Sequence, residues 1–229
     1  MTTGPSFSVV VTVYQREELL AHALYCLQQQ TYGNYEVIVM LDGPHPVADT
    51  IVASGQARST EMGVKIATVY TAPTPGGVYG NDLRRKAMEL ATGDYIVWMG
   101  HDCLIDKDYL QAHADAILEN GPAPLLSVVQ GHYWATCDNP RRLAAYSAAV
   151  LHDVKEATLY RHVFPVKKQG DYAEAWIDLL NIAFPLSAAR EMAFLPADDH
   201  VYAGDWLSFD RMRKSLPVYE TPRILFGHF

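Results

Sequence analysis

The sequence predicts an α/β protein in which helices flank a mostly parallel sheet. Two observations support this fold class. Four strand patterns rich in β-branched and apolar residues occupy the first hundred positions, and segments of helical length separate them. Strands that alternate with helices of ten or more residues indicate βαβ units, and the strands of such units run parallel.

The elements of the first half can be assigned in order. The predicted strands are Phe7–Tyr14, Tyr35–Leu41, Val64–Tyr70 and Tyr95–Met99. Their nearly unbroken apolar runs are typical of strands that are buried on both faces. The predicted helices are Glu17–Gln30, Val47–Arg58 and Asn81–Ala91. In the first helix the leucines and alanines recur at helical spacing and give one apolar face.

The second half is less regular. Its pattern predicts a strand over Leu125–Ala135, a helix over Arg141–Val154 and a short amphipathic helix over Asp205–Ser215, while Ala175–Pro185 is apolar. No internal repeat, low-complexity segment or linker interrupts the 229 residues. We therefore expect a single domain spanning residues 1–229.

Composition excludes several classes of protein. Apolar residues make up 49% of the chain and charged residues 19%, with a formal net charge of −8. This acidic balance argues against a general nucleic-acid binder, which needs a basic face. Three cysteines without CxxC spacing indicate neither a disulfide framework nor a zinc site. With no signal-peptide pattern and no apolar run near the ~20 residues of a membrane span, we expect a cytoplasmic protein. Peripheral membrane contact remains an alternative.

Polar side chains follow three of the predicted strands. Thr12 and Tyr14 end the first, Asp42 follows the second, and His101 and Asp102 follow the fourth. Ligands of open α/β sheets bind outside the carboxyl ends of the strands, so we expect these groups to converge. Asp42 could instead be a turn residue, and Asp102 could instead cap the helix that follows.

Two further clusters and one histidine carry chemical groups. Gly76, Gly77 and Gly80 precede a helix with Arg84, Arg85 and Lys86, an arrangement that could bind a diphosphate. The alternative is a charged, solvated helix face. The segment ADDHVYAGDW contains Asp198, Asp199, His200 and Asp205, from which a general base could come. The alternative for these acids is a solvated turn with Asp205 as a helix cap. His228, in the terminal stretch LFGHF, is a candidate metal ligand; the alternative is a structural histidine between apolar residues.

Three blocks of sequence resemble the family 2 glycosyltransferases with the GT-A fold. The first is FSVVVTVYQREELLAHALYCLQQQTYGNYEVIVMLDG, a strand, a turn with Tyr and Arg, a helix ending in QTY and a strand ending in DG. The second is GGVYGNDLRRKAMELATGDYIVWMGHDCLIDKDYL, similar to the block with an Arg-bearing helix and the metal-binding DxD-type motif. The third is NIAFPLSAAREMAFLPADDHVYAGDWLSFDRM, similar to the acceptor-side block.

The resemblance implies a Rossmann-like sheet with a smaller antiparallel extension on the acceptor side. Residues 1–104 would bind the nucleotide-sugar and residues 105–229 the acceptor. The implied roles are as follows: Thr12, Tyr14 and His101 beside the nucleotide, Asp42 on the base, Arg84 near the base or diphosphate, Asp102 and His228 on Mn²⁺ or Mg²⁺, and Asp205 as general base.

The implied activity is transfer of a sugar, with inversion and with metal assistance, from a UDP-sugar to an acceptor hydroxyl in polysaccharide biosynthesis. The acceptor would be a glycan, a lipid-linked molecule or a small molecule, and a homodimer is an open alternative. The sequence departs from the family at the end of the fourth strand, where Gly100, His101, Asp102 and Cys103 include one carboxylate and His101 stands where an Asp that contacts the ribose is common. It also departs at Gly204, where a Glu is usual. The rival functions are a degenerate protein that binds a nucleotide or glycan without turnover, and a nucleotidyltransferase. The latter needs a basic loop after the first strand, where only Arg16 stands.

Overall fold

The fold begins with four strands and three helices that alternate along the chain. The computed structural model describes residues 4–62, 66–73, 80–121, 124–129, 132–134, 162–164, 179–200, 204–221 and 226–228. The strands are β1 (Phe7–Val13), β2 (Tyr35–Leu41), β3 (Ile66–Thr71) and β4 (Tyr95–Gly100). The helices are α1 (Leu20–Gln28), α2 (Pro46–Met62) and α3 (Asn81–Leu90), and a 3-10 turn, Glu17–Leu19, precedes α1. These elements lie where the apolar periodicity predicts them.

Seven further strands and three further helices follow among the described residues. The strands are β5 (Cys103–Ile105), β6 (Leu126–Val129), β7 (His132–Trp134), β8 (His162–Phe164), β9 (Ile182–Pro185), β10 (Val218–Thr221) and β11 (Phe226–His228). The helices are α4 (Tyr109–Glu119), α5 (Leu186–Met192) and α6 (Gly204–Arg213), with 3-10 turns at Leu179–Asn181 and Pro196–His200.

The strands form two sheets. The larger has the order β10-β6-β9-β4-β1-β2-β3, and the smaller has the order β5-β11-β7-β8. In the larger sheet β4, β1, β2 and β3 are mutually parallel, as are β10 and β6, whereas β9 runs antiparallel to both β4 and β6. The prediction of a mostly parallel sheet flanked by helices, with a smaller extension that contains antiparallel pairs, is confirmed.

The larger sheet has an apolar layer on each face. One layer packs strand residues such as Val9 and Val97 against α1, α2 and α4. The other packs Val10, Ile38 and Trp98 against α3, α5 and α6. Burial on both faces explains why β1, β2 and β4 read as continuous apolar runs in the sequence.

One predicted element of the second half is wrong, and another lies outside the described residues. The apolar run Leu125–Ala135 was predicted to be one strand, but it contains two, because β6 pairs in the larger sheet and β7 in the smaller. Hydrophobicity along the chain does not report which distant strand a segment pairs with. The predicted helix over Arg141–Val154 lies outside the described residues.

Candidate active site at the carboxyl edge of the sheet

The carboxyl ends of β1, β2 and β4 lie side by side. Thr12 of β1 is in register with Met40 of β2 on one side and with Gly100 of β4 on the other. Asp42 and His101 directly follow these strands, and their backbone N–H groups donate to the carbonyls of Val13 and Thr12 at 3.0 Å each. The predicted convergence of the strand-end groups is therefore present in the structure.

A small network fixes the turn that carries Asp42. Nε2 of His45 lies 3.1 Å from the Asp42 carbonyl, and Nδ1 of His45 lies 2.8 Å from Oε1 of Glu17. The other carboxylate oxygen of Glu17 accepts the backbone N–H groups of Val47 and Ala48, both at 3.1 Å, in the first turn of α2. The hydrogen bond with His45 is the main cause that lowers the pKa of Glu17 below its usual value. Glu17 thus joins the turn after β1 to the turn after β2.

His101 lies under the strand ends and is 6% exposed. Its Nδ1 lies 3.1 Å from the Thr12 carbonyl, which can only accept, so the proton of a neutral imidazole is on Nδ1. Nε2 then carries the lone pair, and it is buried without a hydrogen-bond partner among the described residues. Burying a ring nitrogen without a hydrogen bond costs free energy. Nε2 of His101 is therefore suited to accept a hydrogen bond from a ligand.

Asp102 is paired with a cation from the turn after β1. The Arg16 guanidinium donates to Oδ2 of Asp102 at 2.7 Å, and the two side chains are 54% and 26% exposed. A Cβ at position 100 would lie 2.6 Å from Oδ1 of Asp102. Gly100, one of the departures from the family pattern, therefore leaves the space that the Asp102 carboxylate occupies. Tyr14, in the same turn as Arg16, is 56% exposed.

Arg84 and Asp205 meet at the starts of two helices. Nη1 of Arg84 in α3 lies 3.2 Å from Oδ1 of Asp205 in α6, and also 3.2 Å from Oδ1 of Asn81. Its guanidinium stacks on Phe194, 5.0 Å from the ring centroid. Because α3 leads into the amino end of β4, its own N-terminus lies toward the carboxyl edge of the sheet. Arg84 and Asp205 are therefore joined on the side of the sheet where the strand-end residues Thr12, Asp42 and His101 converge.

The departure from the family pattern at Gly204 has a packing explanation. A Cβ at this position would lie 3.3 Å from Nδ2 and 3.4 Å from Oδ1 of Asn81. The shorter of these contacts is tight, so a side chain at position 204 would require the Asn81 side chain to shift by a few tenths of an ångström. Gly204 permits the close approach that places Asp205 within reach of Arg84.

The other acids of the 198–205 segment are held by arginines. Both carboxylate oxygens of Asp198 accept from the Arg211 guanidinium at 2.6 Å, and the Asp198 side chain is 2% exposed. Asp199 pairs with Arg85 at 2.9 Å, and Arg85 also bonds Asp82. These contacts connect α3, the 3-10 turn and α6, so they give Asp198 and Asp199 a structural role that the sequence pattern had left open.

The metal-ligand prediction rests on Asp102 and His228. In β11, His228 is in register opposite Cys103, the residue after Asp102, so the backbones of the two predicted ligands are close. Among the side chains that the structure describes, no three of the His, Cys, Asp and Glu type lie together as a metal site. Mg²⁺ and Mn²⁺ bound with nucleotides need only one or two protein carboxylates, because phosphate oxygens and waters complete the shell. The donor set thus fits a metal that arrives with a diphosphate.

Gly76 and Gly77 of the predicted diphosphate-binding cluster lie outside the described part of the chain. So does most of the segment 152–172, which contains Tyr160, Arg161, Lys167 and Lys168. The roles of Arg16 and Glu17 were not predicted from the sequence. Their charges just after the first strand were the available signal, but the residues that they pair with, Asp102 and His45, lie too far away to be identified from the local pattern.

A family model for glycosyl transferase family 2 matches residues 8–170 of the chain. The chain is 31% identical over 112 residues to the amylovoran biosynthesis glycosyltransferase AmsB of Erwinia amylovora, a match that covers 49% of this chain and 36% of that protein. The chain therefore spans about a third of the length of this curated relative.

Solved structures share the fold. S. aureus TarS 1-349 in complex with UDP superposes with a TM-score of 0.69 and 14% identity, over 97% of this chain and 60% of that one. The mannosyltransferase PcManGT from Pyrobaculum calidifontis, in complex with GDP-Man and Mn²⁺, superposes with a TM-score of 0.63 and 17% identity, over 99% of this chain and 57% of that one. Fold and family model agree, and the chain belongs to glycosyl transferase family 2, with the GT-A fold.

Proposed function

We propose that this chain is an inverting glycosyltransferase that moves a sugar from a nucleoside-diphosphate sugar to an acceptor hydroxyl. The observation that carries the proposal is the convergence of the ends of β1, β2 and β4. A nucleotide bound there would meet an acidic side chain, an unpaired ring nitrogen and a paired carboxylate within one edge of the sheet. The family membership supports the same reaction class.

In this proposal UDP is the nucleotide. Asp42 accepts a hydrogen bond from an N–H of the uracil, and its turn is held by His45 and Glu17 so that the carboxylate is placed before the ligand arrives. Thr12 and Tyr14 border the nucleotide, and Nε2 of His101 accepts a hydrogen bond from it. TarS, which shares the fold, has been solved with UDP and with UDP-GlcNAc, which supports the choice of UDP.

Charge on the leaving diphosphate has to be neutralised during transfer. Arg84 is the candidate cation from the protein, since it lies at the start of α3, where the helix dipole also favours anions. Asp102, with His228, would hold Mn²⁺ or Mg²⁺, and a bound metal would supply Lewis-acid stabilisation of the diphosphate oxygens. Binding of Mn²⁺ in PcManGT, which shares the fold, supports this assignment.

Asp205 is the proposed general base. It takes the proton of the acceptor hydroxyl as the oxygen attacks the anomeric carbon from the face opposite the diphosphate. The new carbon–oxygen bond forms while the bond to the diphosphate oxygen breaks, so one displacement inverts the configuration. Arg84 orients the Asp205 carboxylate through their 3.2 Å contact.

The acceptor is proposed to bind on the side of residues 105–229. The basic residues between positions 160 and 168 favour an anionic or phosphate-linked acceptor, such as a lipid-linked glycan. Similarity to a biosynthetic glycosyltransferase for amylovoran supports a place in polysaccharide synthesis.

A panel of UDP- and GDP-sugars, with and without Mn²⁺, tests the proposal by release of the nucleoside diphosphate. We expect turnover of one donor and a loss of about 10²- to 10⁴-fold in kcat for Asp205→Asn, without loss of donor binding. Asp210→Asn, the same change at an aspartate of α6 that pairs with Arg213 and Lys214 instead of Arg84, is the control and should keep its activity. Nucleotide binding without turnover of any donor would instead favour the degenerate binding protein.

A further inference from the structure

The turn after β1 places Arg16 in an unusual backbone conformation. Gln15 and Arg16 have φ values of 54° and 38°, a left-handed region that residues with a Cβ rarely adopt. The carbonyl of Arg16 accepts the N–H of Leu19 at 3.1 Å, so the start of the following 3-10 turn holds this conformation. Strained backbone of this kind is often retained where it aims a functional side chain.

Arg16 is aimed at the proposed metal ligand. Its Nη2 lies 2.7 Å from Oδ2 of Asp102, which is the one carboxylate in the run Gly100–Cys103 at the end of the strand. A Mg²⁺ or Mn²⁺ ion would approach the same carboxylate at about 2.0–2.2 Å. Two cations that close to one carboxylate repel each other, because its single negative charge cannot neutralise both.

We propose that Arg16 is a resident cation that competes with the divalent metal for Asp102. The ion pair keeps Asp102 neutralised when no donor is bound, so the free protein binds metal weakly. A donor diphosphate brings additional negative charge and oxygen ligands, and the metal then displaces the guanidinium. This inference rests on the proposed metal site at Asp102 and goes beyond it, because it makes Arg16 the residue that couples metal binding to donor binding.

The test measures Mn²⁺ affinity directly, from the electron paramagnetic resonance signal of free Mn²⁺, without any sugar donor or turnover. Wild type is compared with Arg16→Gln, which removes the charge, and Arg16→Lys, which keeps it. Lys214→Gln removes one charge from an exposed ion pair at the far end of α6 and controls for net charge. Asp102→Asn, alone and combined with Arg16→Gln, tests whether any change in Mn²⁺ affinity depends on the Asp102 carboxylate. Each protein is titrated alone and with saturating UDP.

We expect Arg16→Gln, in the absence of nucleotide, to bind Mn²⁺ about fivefold more tightly than wild type, a size set by the partly exposed ion pair that is removed. Arg16→Lys and Lys214→Gln should bind Mn²⁺ like wild type. In the Asp102→Asn background, Arg16→Gln should no longer change the Mn²⁺ affinity. The gain should shrink at high ionic strength, since screening weakens an exposed pair.

Equal or weaker Mn²⁺ binding by Arg16→Gln would overturn the inference, as would a gain that persists in the Asp102→Asn background. Absence of Mn²⁺ binding by every variant, even with UDP, would also overturn it. UDP affinity is measured on the same samples. If UDP binds but Arg16→Gln does not change the Mn²⁺ affinity, only the competition is refuted. If neither UDP nor Mn²⁺ binds to any of the proteins, wild type included, the proposed function is refuted as well.

Discussion

Asp102 shows how single residues define the site. Its carboxylate occupies space that Gly100 leaves open and contacts Arg16, which stands 86 positions earlier in the sequence. The sequence predicted that Asp102 would lie at the strand end, because a buried apolar run stopped there. It did not predict the ion pair, since the partner comes from the left-handed turn of another strand.

The role proposed for Asp42 is tested by Asp42→Ala. Loss of a hydrogen bond to a charged group costs about 1.5–3 kcal/mol, so UDP affinity should fall by roughly 10- to 100-fold. Affinity for inorganic diphosphate should not change, because Asp42 is assigned to the base. The measurement is calorimetric titration of each ligand. Asp115→Ala, an exposed aspartate of α4, is the matched control, and an equal loss for both ligands would contradict the assignment.

Neighbouring aspartates in the 198–205 segment should differ in their effect on stability. Asp198 is nearly fully buried and bidentately paired with Arg211, so Asp198→Asn should lower the free energy of unfolding by about 2–4 kcal/mol. Asp199 is 28% exposed, and Asp199→Asn should cost about 1 kcal/mol or less. Urea denaturation of the two variants checks this order. Equal effects would show that burial does not distinguish them.

At the scale of elements, α2 depends on a residue outside it. Glu17 accepts two N–H groups of the first turn of α2, and these donors have no partner within the helix. The carboxylate also lies at the positive end of the helix dipole. Helix prediction considers the residues adjacent to a helix start. A capping carboxylate that lies 30 positions earlier in the sequence could therefore not be recognised.

The pH dependence of stability should report this cap. The pKa of Glu17 is below its usual 4.5 in the folded protein, mainly through the hydrogen bond with His45. Its contribution to stability is therefore complete above pH 4.5 and is lost as the pH falls through the lowered folded-state pKa. We expect Glu17→Gln to lower Tm relative to wild type at pH 7, and the difference to shrink below pH 4.5. A difference that stays constant down to pH 3 would contradict the assignment.

Prediction of elements succeeded in proportion to how local their determinants are. The strand Tyr35–Leu41 was predicted with its observed bounds, because its residues 37–41 are buried on both faces and leave an apolar run that ends sharply. The strands β5 and β11 were not predicted. Each has three residues, and they form by pairing with one another across more than 100 positions. Pairing at such separation leaves no periodic signal in either segment.

At the scale of the whole molecule, the larger sheet takes strands from both sequence halves. The strand β9 lies between β4 and β6, and its Phe184 is fully buried, with its ring edge-on to Trp98 at 5.4 Å between centroids. Strands from residues 1–104 and 105–229 therefore share one hydrogen-bonded sheet and one apolar layer. Among the described residues, no helix is long and apolar enough to cross a membrane.

We propose from this shared sheet that the two halves unfold together. Phe184→Ala should lower the stability of the whole chain by about 3–5 kcal/mol, because it leaves a cavity in the shared core. Far-ultraviolet circular dichroism and tryptophan fluorescence should shift together in a single transition. Tyr25→Ala, at an exposed site on α1, should change stability by about 0.5 kcal/mol or less. Two separate transitions would indicate independent halves.

We propose that the carboxyl edge of the larger sheet binds a nucleoside diphosphate with a metal at Asp102. Calorimetric titration with UDP, with and without Mn²⁺, on wild type and Asp102→Ala tests this site. We expect UDP to bind wild type, Mn²⁺ to tighten this binding, and Asp102→Ala to lose the gain from Mn²⁺. If neither UDP nor any other nucleoside diphosphate binds under either condition, the site is not a donor site.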